Sequence, residues 1–168
     1  MSNTIYLMVG IQGSGKSAWA NNFLKVNKDT VIVSRDTIRK SLLNEGEDYF
    51  SKENEVWEKF IKNIETAINN NVKNIIIDAT HISIVSRRKI LNTLSSQVNT
   101  ANYVLEIVVM NTPLQTCLHR NDERTGFELV PKDVIKKFYN QFEMPTLDEF
   151  SFFENKYKDI HILDVKGW

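Results

Sequence analysis

One cysteine, Cys117, stands alone among 168 residues, so no internal disulfide framework exists and the residue reads as a small buried hydrophobe. The three histidines, His81, His119 and His161, are isolated along the chain, and with a single thiol they assemble no zinc site. Net charge is missing too. With 21 Lys+Arg against 21 Asp+Glu, no overall basic field draws the chain onto nucleic acid, and any such binding has to come from a local patch. No run approaches the roughly 18 apolar residues of a membrane span. The N-terminus lacks a basic region followed by a long apolar stretch, and there are neither internal repeats nor low-complexity tracts. Together these absences point to a cytoplasmic, reduced protein with no membrane partner. At 42% hydrophobic residues the chain is long enough for one well-buried core and too short for two ordinary domains, so a single domain over residues 1–168 is expected.

Glycine is sparse as well, and its placement is informative. Of six in the chain, Gly10, Gly13 and Gly15 fall within the octapeptide Gly10-Ile-Gln-Gly-Ser-Gly-Lys-Ser17. This matches the phosphate-loop pattern G-x-x-x-x-G-K-[ST] without a misfit. Thr4 to Val9 is a short apolar run fit for a buried parallel strand, and Ser17 to Leu24 reads as a helix. Strand, loop and helix therefore come in the order the pattern requires. Glycines serve here because backbone N–H groups must curl around an anion at φ values that other residues resist, while the helix N-terminus adds positive potential. The candidate nucleotide-binding residues are Gly10, Gly13, Ser14, Gly15, Lys16 and Ser17. In such a loop the lysine, Lys16, reaches the β- and γ-phosphates and the Ser17 hydroxyl ligates magnesium.

Thr30 to Val33 is a second β-branched run, and the helix that follows, Ser34 to Leu43, places Asp36 and Arg39 one turn apart just past the strand's end. Parallel α/β sheets hold ligands beyond the carboxyl ends of their strands, so both side chains would face the crevice of the phosphate loop. The alternative has Asp36 complementing a helix dipole, worth roughly 0.3–1 kcal/mol, and Arg39 as a solvated charge. After a polar loop, residues 44–51, a long amphipathic helix carries Val56, Trp57, Phe60, Ile61, Ile64, Ala67 and Ile68 inward, which makes Trp57 and Phe60 core rather than a stacking platform. Lys73 to Asp78 is a buried strand closing on a carboxylate. Beside a phosphate loop, Asp78 can orient the magnesium shell; a strand-end cap is the plainer alternative. Ser83 to Val98 reads as a helix bearing Arg87, Arg88 and Lys89, either a solvated face or a short track for a polynucleotide backbone. Tyr103 to Val109 is a fourth strand. Pro113 starts a helix from Leu114 to about Arg124 that sets Arg120 and Arg124 on one face and is ended by Gly126. In a P-loop kinase this segment, residues 112–127, is the lid, whose arginines close over the transferring phosphoryl group. The alternative pairs them with Glu123 or Glu128 at the surface for about 1 kcal/mol or less. Pro131 opens a helix through Phe142, and Asp159 to Leu163 makes a terminal strand holding a structural His161. Five strands separated by helices predict a parallel five-stranded α/β sheet with helices on both faces.

With these pieces in place the sequence resembles the kinase domain of the polynucleotide 5′-kinase family. The residues that carry the resemblance are Gly10 to Ser17, Ser34-Arg-Asp-Thr-Ile-Arg39, Asp78-Ala-Thr-His81 with Ser86-Arg-Arg88, and Arg120-Asn-Asp-Glu-Arg124 before Val130-Pro131. The resemblance implies a P-loop kinase fold with a helical lid, ATP and Mg2+ as cofactors, and phosphoryl transfer to a 5′-hydroxyl of DNA or RNA. It implies that Asp36 is the general base, that Arg39 holds the neighbouring phosphate, and that Arg120 and Arg124 sit on the donor phosphates, with Arg124 on the transferring group. Thr80, Arg87 and Val130 fall where the family contacts its acceptor. The segment Thr125 to Val130 is a residue longer than the family's pattern, and no phosphatase activity is expected. The implied partners are a nucleoside triphosphate and a polynucleotide with a 5′-hydroxyl end, with a homo-oligomer left open. Two other functions are carried alongside: a small-metabolite or antibiotic kinase on the same fold, and a nucleotide-dependent switch or binding module. Against the last, the guanine-reading N-K-x-D pattern is absent.

Overall fold

The structure, a computed structural model, describes residues 3–150 and 157–165. In chain order the elements are β1 Asn3–Val9, α1 Lys16–Val26, β2 Thr30–Ser34, α2 Arg35–Leu42, α3 Glu53–Asn69, β3 Asn74–Asp78, α4 Ile84–Gln97, β4 Tyr103–Asn111, α5 Leu114–Asp122, α6 Lys132–Gln141 and β5 Tyr157–Asp164, with short 3-10 turns at Gly126–Glu128 and Leu147–Phe150. The five strands form one sheet in the order β2-β3-β1-β4-β5. Every pairing is parallel.

Strand periodicity decides which side chain meets which helix layer. Ile5, Leu7 and Val9 of β1, with Ile75 and Ile77 of β3 and the alternate residues of β4, form one face and pack with Phe60, Ile64 and Ile68 of α3 and Ile90, Leu91 and Leu94 of α4. The intervening Met8, Ile76, Val108 and Met110 face the other way, onto Ala20, Trp19 and Phe23 of α1. Helices thus cover both faces, and the central strands are apolar on both. All five β3 residues are buried. Trp57 and Phe60 belong to this core, as their helical spacing predicts. A third apolar cluster, Ile11, Ile82, Cys117, Val130 and Ile135, seats α5 and α6 against the phosphate loop.

The topology positions the site. From β1 the chain runs two places across to β2, returns to β3, then crosses over β1 to β4, so the order reverses around β1 and opens a crevice at its carboxyl end. Two boundaries differ from the pattern-based expectation. Helix α5 stops at Asp122 rather than running to Arg124, and Gly126, at φ +60, opens a 3-10 turn instead of ending the helix. The N–H of Arg124 turns back to the Asn121 carbonyl at 3.0 Å, so Arg124 leaves the helix on a tight turn. His161 is on β5, half exposed, with its Nε2 3.3 Å from Glu106 Oε1.

Candidate active site

The loop between β1 and α1 folds as a cradle for an anion. Gly13 has φ +80, and a Cβ there would lie 2.7 Å from the Cys117 carbonyl oxygen, so the loop touches α5 backbone to backbone. Gly15, at φ +106, caps α1 in a left-handed conformation with no side-chain cap, which leaves the first N–H groups of the helix free to meet a ligand. The loop is braced from the residue after β4 and from α5: Thr112 Oγ1 donates to the Ser14 carbonyl at 2.7 Å and Arg120 Nη1 to the Gly13 carbonyl at 3.1 Å. Lys16 is buried and donates to the Ile11 carbonyl at 3.0 Å. Burial lowers its pKa, against the pull of the Asp78 and Asp36 carboxylates. Ser14 Oγ and Gln12 Oε1 are buried without a hydrogen-bond partner among the described residues. Orphaned polar atoms beside a buried ammonium are costly unless a ligand meets them. The cradle therefore fits a polyphosphate.

Next to it, Ser17 Oγ donates to Asp78 Oδ2 at 3.0 Å. Burial pushes the Asp78 carboxyl up, with Lys16 and the Ser17 hydroxyl pulling it back down. A hydroxyl and a carboxylate this close, beside a phosphate cradle, are a hard-oxygen pair that suits Mg2+. No cluster of three or more His, Cys, Asp or Glu side chains suited to a metal occurs among the described residues, so such an ion would lean on phosphate oxygens and water as well.

Two cavities open here. The first, about 480 Å3, is lined by the phosphate loop, Trp19, Asp78, Met110 and Arg120. The second, about 350 Å3, is lined by Thr37, Arg39, Lys40, Leu43, Tyr49 and Val130. Ser17, Asp36 and Arg124 line both. The joint between the cavities is thus made of a hydroxyl, a carboxylate and a guanidinium.

Asp36 occupies the first turn of α2 with its side chain 62% exposed, whereas the capping is done by Ser34, which accepts from the Thr37 N–H. Arg39 is not the solvated charge of the plainer reading. It is buried, forks onto Glu53 of α3 through Nε to Oε1 at 2.6 Å and Nη2 to Oε2 at 3.0 Å, and turns Nη1 to Asp36. Burial works against its charge, but Glu53, Tyr49 and Asp36 outweigh it and raise its pKa. Arg124 has no hydrogen bond or ion pair with any described side chain. The acids once available to it are taken: Glu128 by Lys40 at 2.7 Å and Glu123 by His119 at 3.4 Å.

The remaining candidate residues divide. Thr80 lines a narrow cleft behind Asp36 and Arg39, and its carbonyl accepts from the Gly10 N–H at 2.9 Å. Val130 is 2% exposed at the wall of the second cavity, clamped by Asn121 through both its backbone groups. Arg87 requires a correction. It is fully buried, gives Nε to Glu149 Oε1 at 2.8 Å and Nη1 to the His81 carbonyl, and so contacts no acceptor and joins no surface track. The reason is helical phase: Arg87 shares its face of α4 with Ile90, Leu91 and Leu94, while Arg88 and Lys89 point out. That signal was legible in the spacing. His81 is buried in a left-handed turn at φ 44, with Nδ1 2.8 Å from the Met8 carbonyl, and burial lowers its pKa to about 4. Glu53 and Tyr49 are site residues that the motifs did not mark, because both reach the site from beyond α2 by tertiary contact alone.

Residues 5–145 match a protein family described as an AAA domain. Among solved structures, a chain of the Pnkp1/Rnl/Hen1 RNA repair complex shares 26% identity with a TM-score of 0.68, over 83% of this chain and 44% of that one. A fungal RNA kinase gives 11% identity and a TM-score of 0.69 over 99% of this chain and 39% of that one. A sugar kinase from Janibacter sp. gives 12% and 0.63 over 98% and 86%. The last two likenesses concern the fold alone. The chain spans less than half the length of the RNA-repair chain it matches.

Proposed function

Because this chain belongs to the AAA-domain family and carries a P-loop kinase fold, we propose that it transfers the γ-phosphoryl group of ATP to the 5′-hydroxyl end of a polynucleotide, with Asp36 as general base. The observation that supports this reading is the joint between the two cavities, where Ser17, Asp36 and Arg124 line both. A donor in the first cavity and a hydroxyl in the second would meet beside a carboxylate able to take the proton and a guanidinium without a partner among the described residues.

A bound magnesium–ATP complex, which Ser17 and Asp78 would hold on the metal side, supplies the phosphoryl group and offsets part of its charge. The chain's own residues do the positioning. The loop N–H groups, Ser14 and Lys16 bind the β- and γ-phosphates; Arg120 keeps the loop in shape through the Gly13 carbonyl. Asp36 accepts the hydroxyl proton as the oxygen attacks, and Arg124 neutralises the equatorial oxygens as the terminal bridging P–O bond breaks. Phosphoryl transfer asks for positioning and charge neutralisation more than covalent chemistry, and these are the groups present. The acceptor class is supported by the identity shared with a chain of an RNA repair complex and by the Arg35-Asp-Thr-Ile-Arg39 segment. A sugar kinase of the same fold supports a second reading, a small-metabolite acceptor.

Transfer of labelled γ-phosphate to 5′-hydroxyl DNA and RNA of several lengths, run beside a panel of sugars and aminoglycosides, separates the two. Labelled oligonucleotide with bare sugars is the expected result. Labelled sugar with bare oligonucleotide would contradict the acceptor assignment.

A further inference from the structure

Asp36 Oδ1 has two donors. One is Arg39 Nη1, and the other is the hydroxyl of Tyr49 at 3.0 Å. The Tyr49 hydroxyl in turn accepts from the same Arg39 nitrogen at 3.2 Å, so carboxylate, guanidinium and phenol close a small ring of hydrogen bonds. Oδ2 has no donor among the described residues.

The ring is held from three sides. Arg39 is fixed by its fork onto Glu53 of α3. The Tyr49 aromatic ring lies under the guanidinium, 4.6 Å from centroid to carbon, and Phe50 meets Tyr49 edge-on at 4.7 Å. The loop that carries Tyr49 is itself pinned: Lys52 Nζ donates to the Leu42 carbonyl at 2.8 Å and pairs with Glu47, whose carboxylate accepts from the Asn44 N–H at 2.7 Å. Burial first, and then the charge of Asp36, raise the pKa of Tyr49, which keeps the phenol a donor.

A carboxylate on an exposed first helical turn is free to rotate about both of its side-chain bonds. Arg39 gives Asp36 one N–H, its other Nη1 hydrogen going to the phenol, and a carboxylate held by a single donor can still swing about that contact. Two donors converging on one oxygen do, and they leave the other oxygen as the only one open to a substrate hydroxyl. We infer that Tyr49 is a positioning residue for the reaction: its hydroxyl fixes the Asp36 carboxylate with Oδ2 presented to the joint between the cavities. The inference rests on the proposed role of Asp36 as base.

Tyr49→Phe is the test, since it keeps the ring under Arg39 and removes only the hydroxyl. With kinetics measured on a 5′-hydroxyl oligonucleotide, kcat should fall by roughly tenfold to a hundredfold, the size of effect that slight misplacement of a reacting group causes, with KM for ATP and for the oligonucleotide within about twofold of wild type. In an Asp36→Asn background the same change should cost nothing further, because residues acting through one group are not additive. Wild-type kcat in Tyr49→Phe overturns the inference, and so does a loss confined to the oligonucleotide KM, which would make Tyr49 a substrate contact. A full additional loss on top of Asp36→Asn overturns it as well. If instead Asp36→Asn alone transfers at the wild-type rate, it is the base assignment that fails, so the two failures are told apart. Melting temperature and ATP binding, measured on the same variants, exclude misfolding as the cause.

Discussion

At the scale of single residues, Arg124 has the sharpest consequence. It lies past the end of α5, lines both cavities and has no described partner, while its neighbour Glu123 sits on the surface beside His119. A finger-type arginine in phosphoryl transfer is worth roughly 10³–10⁵ in rate, whereas an exposed ion pair contributes about 1 kcal/mol or less. Arg124→Ala should therefore lower turnover by at least about a thousandfold with little change in melting temperature, and Glu123→Ala should be nearly silent. Small, equal effects in the two variants would return Arg124 to the surface. Lys16, Ser17, Asp36, Asp78 and Arg124 were legible from the order of residues because each has a place in a motif or at a strand end. Tyr49 and Glu53 were not. Their part depends on a loop and a neighbouring helix being brought against α2, which no local spacing encodes.

At the scale of elements, strand runs and helical faces were legible nearly throughout, since periodicity is a local property. What escaped was phase at one position and termination at another. Arg87 looked like the head of a basic cluster, yet its helix turns it inward to a buried carboxylate, Glu149, on the 3-10 turn after α6. A fully buried pair of this kind ties α4 to that turn, and Glu149 also accepts from the Thr146 N–H at 2.7 Å. Removing one partner of a buried pair leaves the other charged and desolvated, at a cost of about 3–5 kcal/mol. Arg87→Met should accordingly lower the unfolding free energy by about that much in a denaturant titration, whereas Arg88→Ala, on the outer face, should stay within about 0.5 kcal/mol. Equal stability of the two variants would mean that Arg87 is solvated after all. Termination at Asp122 escaped because the spacing of Arg120 and Arg124 reads as one helical face whether or not the helix reaches the second of them.

At the scale of the whole molecule, the five-stranded order with its reversal around β1 brings together residues from the loop after β1, α1, α2, β3 and the segment after α5, more than a hundred positions apart in the chain. The topology was legible as a class from alternating strands and helices; the strand order was not, because it depends on which edge each crossover takes. No helix among the described residues is long and apolar enough to cross a membrane. With Arg87 withdrawn to the core, only Arg88 and Lys89 of that basic cluster stay exposed on the outer face of α4, in a chain of zero formal net charge. The proposed transfer depends on one junction, where the two cavities share Asp36 with Ser17 and Arg124. The direct test is the single-turnover rate of γ-phosphate transfer to a 5′-hydroxyl oligonucleotide by Asp36→Asn at saturating ATP, a change that keeps the size of the side chain and removes the base. Because the donor phosphates are assigned to the loop from Gly10 to Ser17, the rate should drop by roughly 10²–10⁴ while ATP affinity and melting temperature hold. A variant that is less stable by about 1 kcal/mol yet transfers at the wild-type rate would reduce Asp36 to a helix-dipole charge and contradict the account.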